Sequence, residues 1–196
     1  RPFKVGENLA TSKGNVVYKS EMMELIQYEA STDKVHAIPF LIIPPQINKA
    51  YVNDLSPDKS IVRFLGSLGL TTFLVSWRNP KIEHRNWGLE AYVNELIVAS
   101  DVIMAITKSK KLNVSGACSG GITTATFLSK LASEGDTRVN AVSLMVNVLD
   151  PRNDDSDVGA LVSDHGIELA RQRSFKKGIL EGDSLGRMFA WLRPND

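Results

Sequence analysis

The sequence predicts an α/β fold in which a mostly parallel sheet is flanked by helices. Between residues 38 and 149, short runs of β-branched and aromatic residues alternate with longer segments whose apolar residues recur at helical spacing. Prolines and glycines separate several of these segments, as is typical of turns. Strands that alternate with helices of about ten residues or more favour a parallel sheet covered on both faces.

The first two elements of this alternation are a strand and a helix. Residues 38–43 form an apolar run that Pro44 and Pro45 end, which predicts a buried strand. Ser56-Pro57 has the residue types preferred at a helix N-cap and at the first helical position. Gly69 is suited to end that helix. Its apolar stripe consists of Ile61, Phe64, Leu65 and Leu68.

The later elements continue the same pattern. Two weaker strand candidates precede the alternating region, and with them residues 112–117 become the fifth strand. The predicted elements are strands at residues 16–18, 24–28, 70–76, 112–117 and 139–149, and helices at residues 89–106 and 120–132.

The character of the chain changes after Asp150. Residues 151–157 (PRNDDSD) form an acidic loop, and residues 158–192 have helical or irregular character. We therefore expect residues 1–150 to form the N-terminal part of a core, and residues 151–196 to begin a cap or lid inserted over the sheet.

Composition excludes several classes of protein. The 196-residue chain is 43% hydrophobic, and its 23 Lys and Arg nearly balance its 22 Asp and Glu, so it lacks the basic excess of a nucleic-acid binder. No apolar run approaches the roughly 18 residues of a membrane span, and no secretory signal is visible. A single Cys excludes an internal disulfide and favours a reducing, cytoplasmic compartment.

The strongest local motif is G-x-C-x-G at residues 116–120 (GACSG). It has the form of a nucleophile elbow, a sharp strand-to-helix turn, with Cys118 where Ser is more common. Gly116 and Gly120 remove side chains that clash in such a turn. A helix N-terminus directly after Cys118 favours its thiolate. The alternative, a small Cys buried in a tight turn, fits less well because the motif has the expected context and holds the chain's one Cys.

An acyl-transfer site also needs donors for the oxyanion of its tetrahedral intermediate. The amide of Ser119, directly after the nucleophile, is the first expected donor. The second is expected from the loop after the third strand, residues 44–49 (PPQINK), where the amides of Gln46 and Ile47 are the candidates.

The base and acid that activate such a nucleophile do not follow it in the usual chain order of nucleophile, acid and His. His36 and His84 precede Cys118, and His165 follows it without two further strands between them. Asp150 has a possible acid position, although a capping or loop role fits it equally well. We therefore expect the sheet to be incomplete at its C-terminal end, with the acid and base missing from this sequence.

Two further segments carry charge or aromatic groups. Residues 108–111 (KSKK) precede a strand, so they are expected at the edge opposite the elbow, as a solvated basic loop. Trp77 and Arg78 follow a strand on the same side as the elbow. They fit either a pocket wall with an anion contact or the packing of that turn.

Taken together, these motifs resemble those of the polyhydroxyalkanoate synthases, an α/β-hydrolase-like family. The resemblance extends over essentially the whole chain, and the PPQINK and GACSGG variants look like the class that uses medium-chain monomers. It rests on residues 6–14 (GENLATSKG), 23–28 (MELIQY), 44–49 (PPQINK), 54–57 (DLSP), 75–80 (VSWRNP), 116–121 (GACSGG) and 189–196 (FAWLRPND).

The resemblance implies an acyltransferase that polymerises (R)-3-hydroxyacyl-CoA through a thioester on Cys118 and releases coenzyme A. In that family the catalytic Asp and His lie downstream of the RPND segment, so a piece that ends there is expected to be inactive alone. The resemblance implies no metal and no cofactor apart from the coenzyme A of the substrate. It implies a homodimer at the surface of cytoplasmic polyester granules.

Two other functional interpretations of the same residues stay open. A Cys-dependent thioesterase or dienelactone-type hydrolase would release free hydroxy acid, whereas a polymerase would release coenzyme A and an insoluble polyester. A non-catalytic, truncated module would bind partners or the granule surface without turnover.

Overall fold

The computed structural model of the chain describes residues 2–149 and 163–192. The described residues divide into a first unit within residues 2–78 and 88–148, and a second unit within residues 79–87, 149 and 163–192. Asp150 and the acidic loop at 151–157 lie outside the described residues. The expected boundary between a core and a cap at residue 150 stays a prediction.

A six-stranded sheet forms the centre of the first unit. Its order is β1-β2-β6-β3-β7-β8, with β6, β3, β7 and β8 parallel and β1 and β2 antiparallel to their neighbours. This confirms the mostly parallel sheet, and β7 is its fifth strand in chain order. The strands are β1 Gly14–Lys19, β2 Met23–Tyr28, β3 Phe40–Ile43, β6 Thr72–Trp77, β7 Leu112–Ala117 and β8 Val139–Met145, and a separate hairpin holds β4 Asp54–Ser56 and β5 Lys59–Ser60.

Helices flank this sheet as the alternating pattern predicts. They are α1 Ile61–Ser67, α2 Leu89–Thr107 and α3 Ser119–Ser133. The α1 side chains Val62 and Leu65 form one buried cluster with Ile42 and Leu74 of the sheet. Helices α2 and α3 pack on each other, and α3 packs on β7 and β3. Each of the three helices connects two parallel strands, which is the arrangement expected of a parallel sheet.

The predicted start of α1 at Ser56-Pro57 is wrong. Ser56 pairs with Lys59 across an antiparallel hairpin, so Pro57 lies in its turn. Ser and Pro are favoured in turns as well as at helix starts, and here the hairpin takes them. The helix instead has Ser60 as its N-cap, whose hydroxyl accepts a hydrogen bond from the Arg63 amide at 3.0 Å. Gly69 follows the helix with φ +75°, as its predicted terminating role requires.

Strand β8 is shorter than its apolar sequence predicts. It ends at Met145 instead of residue 149, because Val146 adopts φ +48°. This left-handed conformation is rare for a β-branched residue and is incompatible with an extended strand. The turn brings Asn147 back towards the carboxyl end of β7, where its amide group contacts the elbow.

The second unit contains two helices, α4 Asp164–Lys177 and α5 Gly182–Leu192. Ser163 caps α4 by accepting a hydrogen bond from the Gly166 amide, and Gly178 ends it with φ +79°. The Arg85 guanidinium lies 5.5 Å from the centre of the Phe175 ring. No helix within the described ranges combines the length and apolarity needed to cross a bilayer.

Candidate active site

Cys118 lies at the sharp turn between β7 and α3. Its backbone angles are φ +51° and ψ −126°, and it is a free, exposed cysteine. Such angles are sparsely populated for residues with a side chain and cost about 1–3 kcal/mol, so the surrounding structure must hold them in place. The turn has the shape that the G-x-C-x-G motif predicts, and the role of Cys118 as a nucleophile stays a prediction.

The two motif glycines lie where no side chain fits. A Cβ on Gly116 would come 2.3 Å from the Thr124 hydroxyl oxygen and 2.8 Å from the Gly121 Cα. A Cβ on Gly120 would come 2.4 Å from the carbonyl oxygen of Ile43, at the end of β3. The close approach of Gly120 to the end of β3 is what allows the following loop to lie against the elbow.

Backbone and amide groups hold the elbow in place. The Cys118 amide donates to the Met145 carbonyl at 3.1 Å, and the Cys118 carbonyl accepts from the Gly121 amide at 3.0 Å. The Asn147 side chain also donates to the Cys118 carbonyl, at 3.3 Å. Sequence reasoning missed Asn147, because its contact depends on the early end of β8 and no residue type in the sequence signals that turn.

The loop after β3 lies beside the first turn of α3. The Gln46 carboxamide nitrogen donates to the Thr123 hydroxyl at 2.7 Å. The carboxamide oxygen of Gln46 lies 3.4 Å from the Ser119 hydroxyl. Within residues 2–149 and 163–192, the backbone amides of Gln46, Ile47 and Ser119 donate no hydrogen bond. In the described part of the chain, the N–H groups of Ser119 and of the two candidates for the second donor, Gln46 and Ile47, are thus unpaired, and their role stays a prediction.

The three His residues occupy different surroundings. His36 is exposed and comes before β3, so it lies at the edge opposite Cys118, which follows the parallel strand β7. His84 is buried in the second unit, where it stacks on Trp87 at 3.9 Å and its Nδ1 accepts from the Lys81 amide. His165 is exposed in the first turn of α4. His36, the one His of the first unit, is therefore not placed to serve Cys118 as a base.

Trp77 packs within the turn, and with Arg78 it also borders a surface pocket beside β1 and β2. It is 5% exposed, its ring meets Tyr92 edge-on at 5.2 Å, and its indole nitrogen donates to the Pro44 carbonyl at 2.9 Å. Burial raises the pKa of the Tyr92 hydroxyl above its ordinary value. Arg78 is exposed and donates to the Glu21 carbonyl at 3.2 Å. Across the described ranges, no group of three His, Cys, Asp or Glu residues is arranged to hold a metal ion.

The solved structures that this chain resembles include an α/β hydrolase. An α/β hydrolase from the metagenome of Lake Arreo matches with a TM-score of 0.55 at 16% identity, over 78% of this chain and 48% of that chain. The Francisella virulence factor BioJ matches with a TM-score of 0.58 at 13% identity, over 81% of this chain and 53% of that chain. At such low identity the likeness establishes the fold alone, and it confirms the predicted α/β-hydrolase-like class.

Sequence comparison identifies a narrower relationship. Residues 1–65 match the family described as "Poly-beta-hydroxybutyrate polymerase (PhaC) N-terminus". The chain is 48% identical over 194 residues to poly(3-hydroxyalkanoate) polymerase 1 of Ectopseudomonas oleovorans, covering 99% of this chain and 34% of that protein. It is 38% identical to the poly(3-hydroxyalkanoate) polymerase subunit PhaC of Cupriavidus necator, covering 99% of this chain and 34% of that protein. The chain spans about a third of the length of these relatives, and over that part it is similar to the poly(3-hydroxyalkanoate) polymerases.

Proposed function

We propose that this chain provides the nucleophile of an acyltransferase that polymerises (R)-3-hydroxyacyl-CoA. The observation that carries the proposal is the position of Cys118, exposed on a strained turn at the N-terminus of α3. The unpaired N–H groups and the dipole of a helix N-terminus stabilise a thiolate there. The relatives, which are named for polymerising 3-hydroxyalkanoates, give the substrate class.

In the first half-reaction the Cys118 thiolate attacks the thioester carbonyl of the substrate. A carbon–sulfur bond forms as the carbonyl electrons move onto oxygen, and the amides of Ser119 and of Gln46 or Ile47 donate to that oxyanion. Collapse of the intermediate breaks the bond to coenzyme A, which leaves as a thiolate and takes up a proton. One thioester replaces another, so the acyl group stays activated.

In the second half-reaction the 3-hydroxyl of another acyl unit attacks the Cys118 thioester. A base removes the hydroxyl proton, an ester bond forms, and the Cys118 thiolate leaves. A serine nucleophile would hold the acyl group as an ester, and most of the driving force for the next ester bond would be lost. Exclusion of water prevents hydrolysis of the thioester. This exclusion is the role we expect for the cap that residues 151–196 begin.

We place the base and acid for this second step in the part of the longer relatives that this chain does not span. His36 supports this assignment, because it lies at the opposite edge of the sheet from Cys118. Residues 1–196 alone are therefore expected to accept an acyl group slowly and to turn over little.

The partners follow from the same chemistry. The acceptor is the growing polyester, an insoluble product, and we propose that the chain acts as a homodimer at the surface of its cytoplasmic granules. The PPQINK and GACSGG motifs support medium-chain monomers as substrates. Apart from the coenzyme A that the substrate carries, the mechanism uses no cofactor.

A chimera tests the proposal. Residues 1–196 replace the aligned segment of the E. oleovorans polymerase 1, and the product is incubated with (R)-3-hydroxydecanoyl-CoA. We expect coenzyme A release with an insoluble polyester, and loss of both in the Cys118→Ala chimera. Intact-mass measurement of the unsubstituted chimera is expected to show an acyl adduct that maps to Cys118.

The product distinguishes the alternatives. Free hydroxy acid without polymer would identify a thioesterase or dienelactone-type hydrolase. Absence of any acyl adduct in a folded chimera would support the non-catalytic module. Wild-type polymer yield from the Cys118→Ala chimera would overturn the assignment of the nucleophile.

A further inference from the structure

The loop that follows β3 is tied to the rest of the first unit by two side chains. The buried indole N–H of Trp77 donates to the carbonyl of Pro44, the first residue of the loop, at 2.9 Å. Two residues later, the Gln46 carboxamide reaches Thr123, which lies one turn into α3 and is 1% exposed. One attachment therefore connects the loop to the end of β6, and the other connects it to the elbow helix.

The attachment at Gln46 has a defined direction. The Thr123 hydroxyl donates to the Ser119 carbonyl at 3.2 Å, so it accepts the bond from the Gln46 carboxamide nitrogen at 2.7 Å. The carboxamide oxygen then faces the Ser119 hydroxyl at 3.4 Å. A single side chain thus joins the loop to both ends of the first turn of α3, directly after Cys118.

The loop needs such attachments because its own backbone provides few. Pro44 and Pro45 have no N–H, and among the residues that the structure describes, the Pro45 carbonyl accepts only a local bond from the Asn48 amide. Within the described residues the amides of Gln46 and Ile47 donate to no acceptor. Side chains from outside the loop therefore determine where these two N–H groups lie relative to Cys118.

We propose that Gln46 and Trp77 are positioning residues that hold residues 44–47 against the elbow, so that the loop amides meet the oxyanion formed on the acyl group at Cys118. This inference rests on the proposed acyl transfer and adds the groups that fix its oxyanion donors. Donors that are held in place before the reaction stabilise the developing charge without further change. Donors on a mobile loop must first reorganise at each attack, and this reorganisation raises the barrier.

Two reactions of the same sulfur test the proposal. Acylation by (R)-3-hydroxydecanoyl-CoA passes through an oxyanion, whereas alkylation by iodoacetamide displaces iodide and forms none. Both rates are measured by intact mass in the chimera carrying Gln46→Met or Thr123→Val. We expect acylation to slow by about 10- to 100-fold, below or at the lower end of the effect of deleting one oxyanion donor. Alkylation is expected to stay within about twofold, since the thiolate and its helix N-terminus are unchanged.

Two further variants control for general disruption, and a third, Trp77→Phe, tests the role of Trp77, which unchanged acylation would overturn. Thr123→Ser keeps the hydroxyl and is expected to acylate at close to the unsubstituted rate. Thr126→Val removes a hydroxyl that bonds only within α3, to the Ile122 carbonyl, and is expected to change neither reaction. Trp77→Phe keeps an aromatic ring beside Tyr92 but loses the N–H, and is expected to slow acylation selectively.

The outcomes separate the two proposals. Selective slowing of acylation in Gln46→Met and Thr123→Val supports the positioning role. Unchanged acylation in both variants, or equal slowing of acylation and alkylation, overturns it and leaves the nucleophile assignment standing. Absence of acylation in the unsubstituted chimera overturns the proposed function itself.

Discussion

At the scale of single residues, Cys118 combines exposure with backbone strain. Its φ of +51° is a conformation that glycine adopts without cost and other residues do not. We expect Cys118→Gly to unfold at higher urea than Cys118→Ala, by about 1 kcal/mol in the free energy of unfolding. Both variants lack the thiol, so the comparison isolates the strain.

The matched control for this effect is the preceding residue. Ala117 lies in β7, where glycine gains no relief and weakens the strand by about 0.5–1 kcal/mol. Ala117→Gly is therefore expected to destabilise the chain. A Cys118→Gly variant no more stable than Cys118→Ala would mean that the turn is not strained.

The loop after β3 can lie close to Gly120 because glycine has no side chain. A methyl group there would come 2.4 Å from the Ile43 carbonyl oxygen and 2.7 Å from the Pro44 carbonyl carbon, both backbone atoms. We expect Gly120→Ala to push the loop away, to cost about 1–3 kcal/mol in stability as overpacking does, and to abolish acylation of Cys118. Urea denaturation and intact mass measure the two effects.

A glycine in open space is the control for Gly120→Ala. Gly88 precedes α2, and a Cβ there would meet nothing within 4 Å. Gly88→Ala is expected to leave acylation unchanged and to alter stability by less than about 1 kcal/mol, the usual range for such a cap position. Equal effects of the two substitutions would contradict the packing argument.

At the scale of elements, the N-cap of α1 separates two serines that look alike in the sequence. The Ser60 hydroxyl accepts from the Arg63 amide, whereas Ser56 pairs in the β4–β5 hairpin. We expect Ser60→Ala to cost about 1 kcal/mol, the usual value of a lost N-cap, and Ser56→Ala to cost less. Thermal unfolding of the two variants measures the difference, and equal losses would place the cap elsewhere.

This element also shows why sequence patterns located the helices better than their ends. The helical spacing of α1 and the motif of the elbow are local, so the sequence located both. The predicted apolar stripe of α1 is only partly correct, because Phe64 and Leu68 are 59% and 52% exposed, and Val62 packs into the core beside Leu65 instead. Ser56-Pro57 fits both a hairpin turn and a helix start, and the pairing of Ser56 with Lys59 selects the hairpin. The contacts of Asn147, Trp77 and Gln46 join segments that are distant in the chain, and no spacing in the sequence reports them.

An ion-pair cluster joins α2 to the turn before β8. Arg138 donates to Asp136 at 2.7 Å, to Ser100 at 2.7 Å and to Asp101 at 2.6 Å, and its side chain is only 16% exposed. Arg138→Met leaves the carboxylate of Asp136 and the buried Ser100 hydroxyl without this partner. We expect a loss of about 1–3 kcal/mol at neutral pH, measured by urea denaturation.

The same cluster makes a prediction about pH. Hydrogen bonds from Arg138 hold the pKa of Asp136 below its ordinary value of 3.8, so the folded state binds this proton less readily than the unfolded state. The stabilisation is therefore complete above pH 3.8 and is lost as the pH falls through the lower, folded value. Arg138→Met is expected to flatten this part of the acid unfolding curve. Arg171→Met, which breaks a pair of exposed side chains with Glu168, is expected to cost less stability than Arg138→Met.

At the scale of the whole molecule, the sheet of the first unit has two unlike edges. Edge strand β1 carries a register shift between Val16 and Tyr18 and ends in Lys19, two features that discourage pairing with another strand. Edge strand β8 has a register shift at its start, where its pairing with β7 skips Asn140, but it has neither charge nor irregularity from Ala141 to Met145. Within the described residues its apolar side chains stay partly open to solvent. The exposed fractions are 44% for Val142, 39% for Leu144 and 41% for Met145.

An apolar, uncharged edge strand is a template for a further strand, so we expect residues 1–196 to associate through β8 as their concentration rises. Val142→Lys places a charge at the centre of this edge and is expected to keep the chain monomeric in sedimentation velocity over the same concentration range. Val16→Lys makes the same change on the irregular edge, at a valine that is 52% exposed, and is expected to leave association unchanged. If both substitutions suppress association equally, added charge alone explains the effect and β8 has no special role. If neither does, the contact between copies lies on another surface, because a lysine at the centre of β8 is incompatible with tight pairing at that edge.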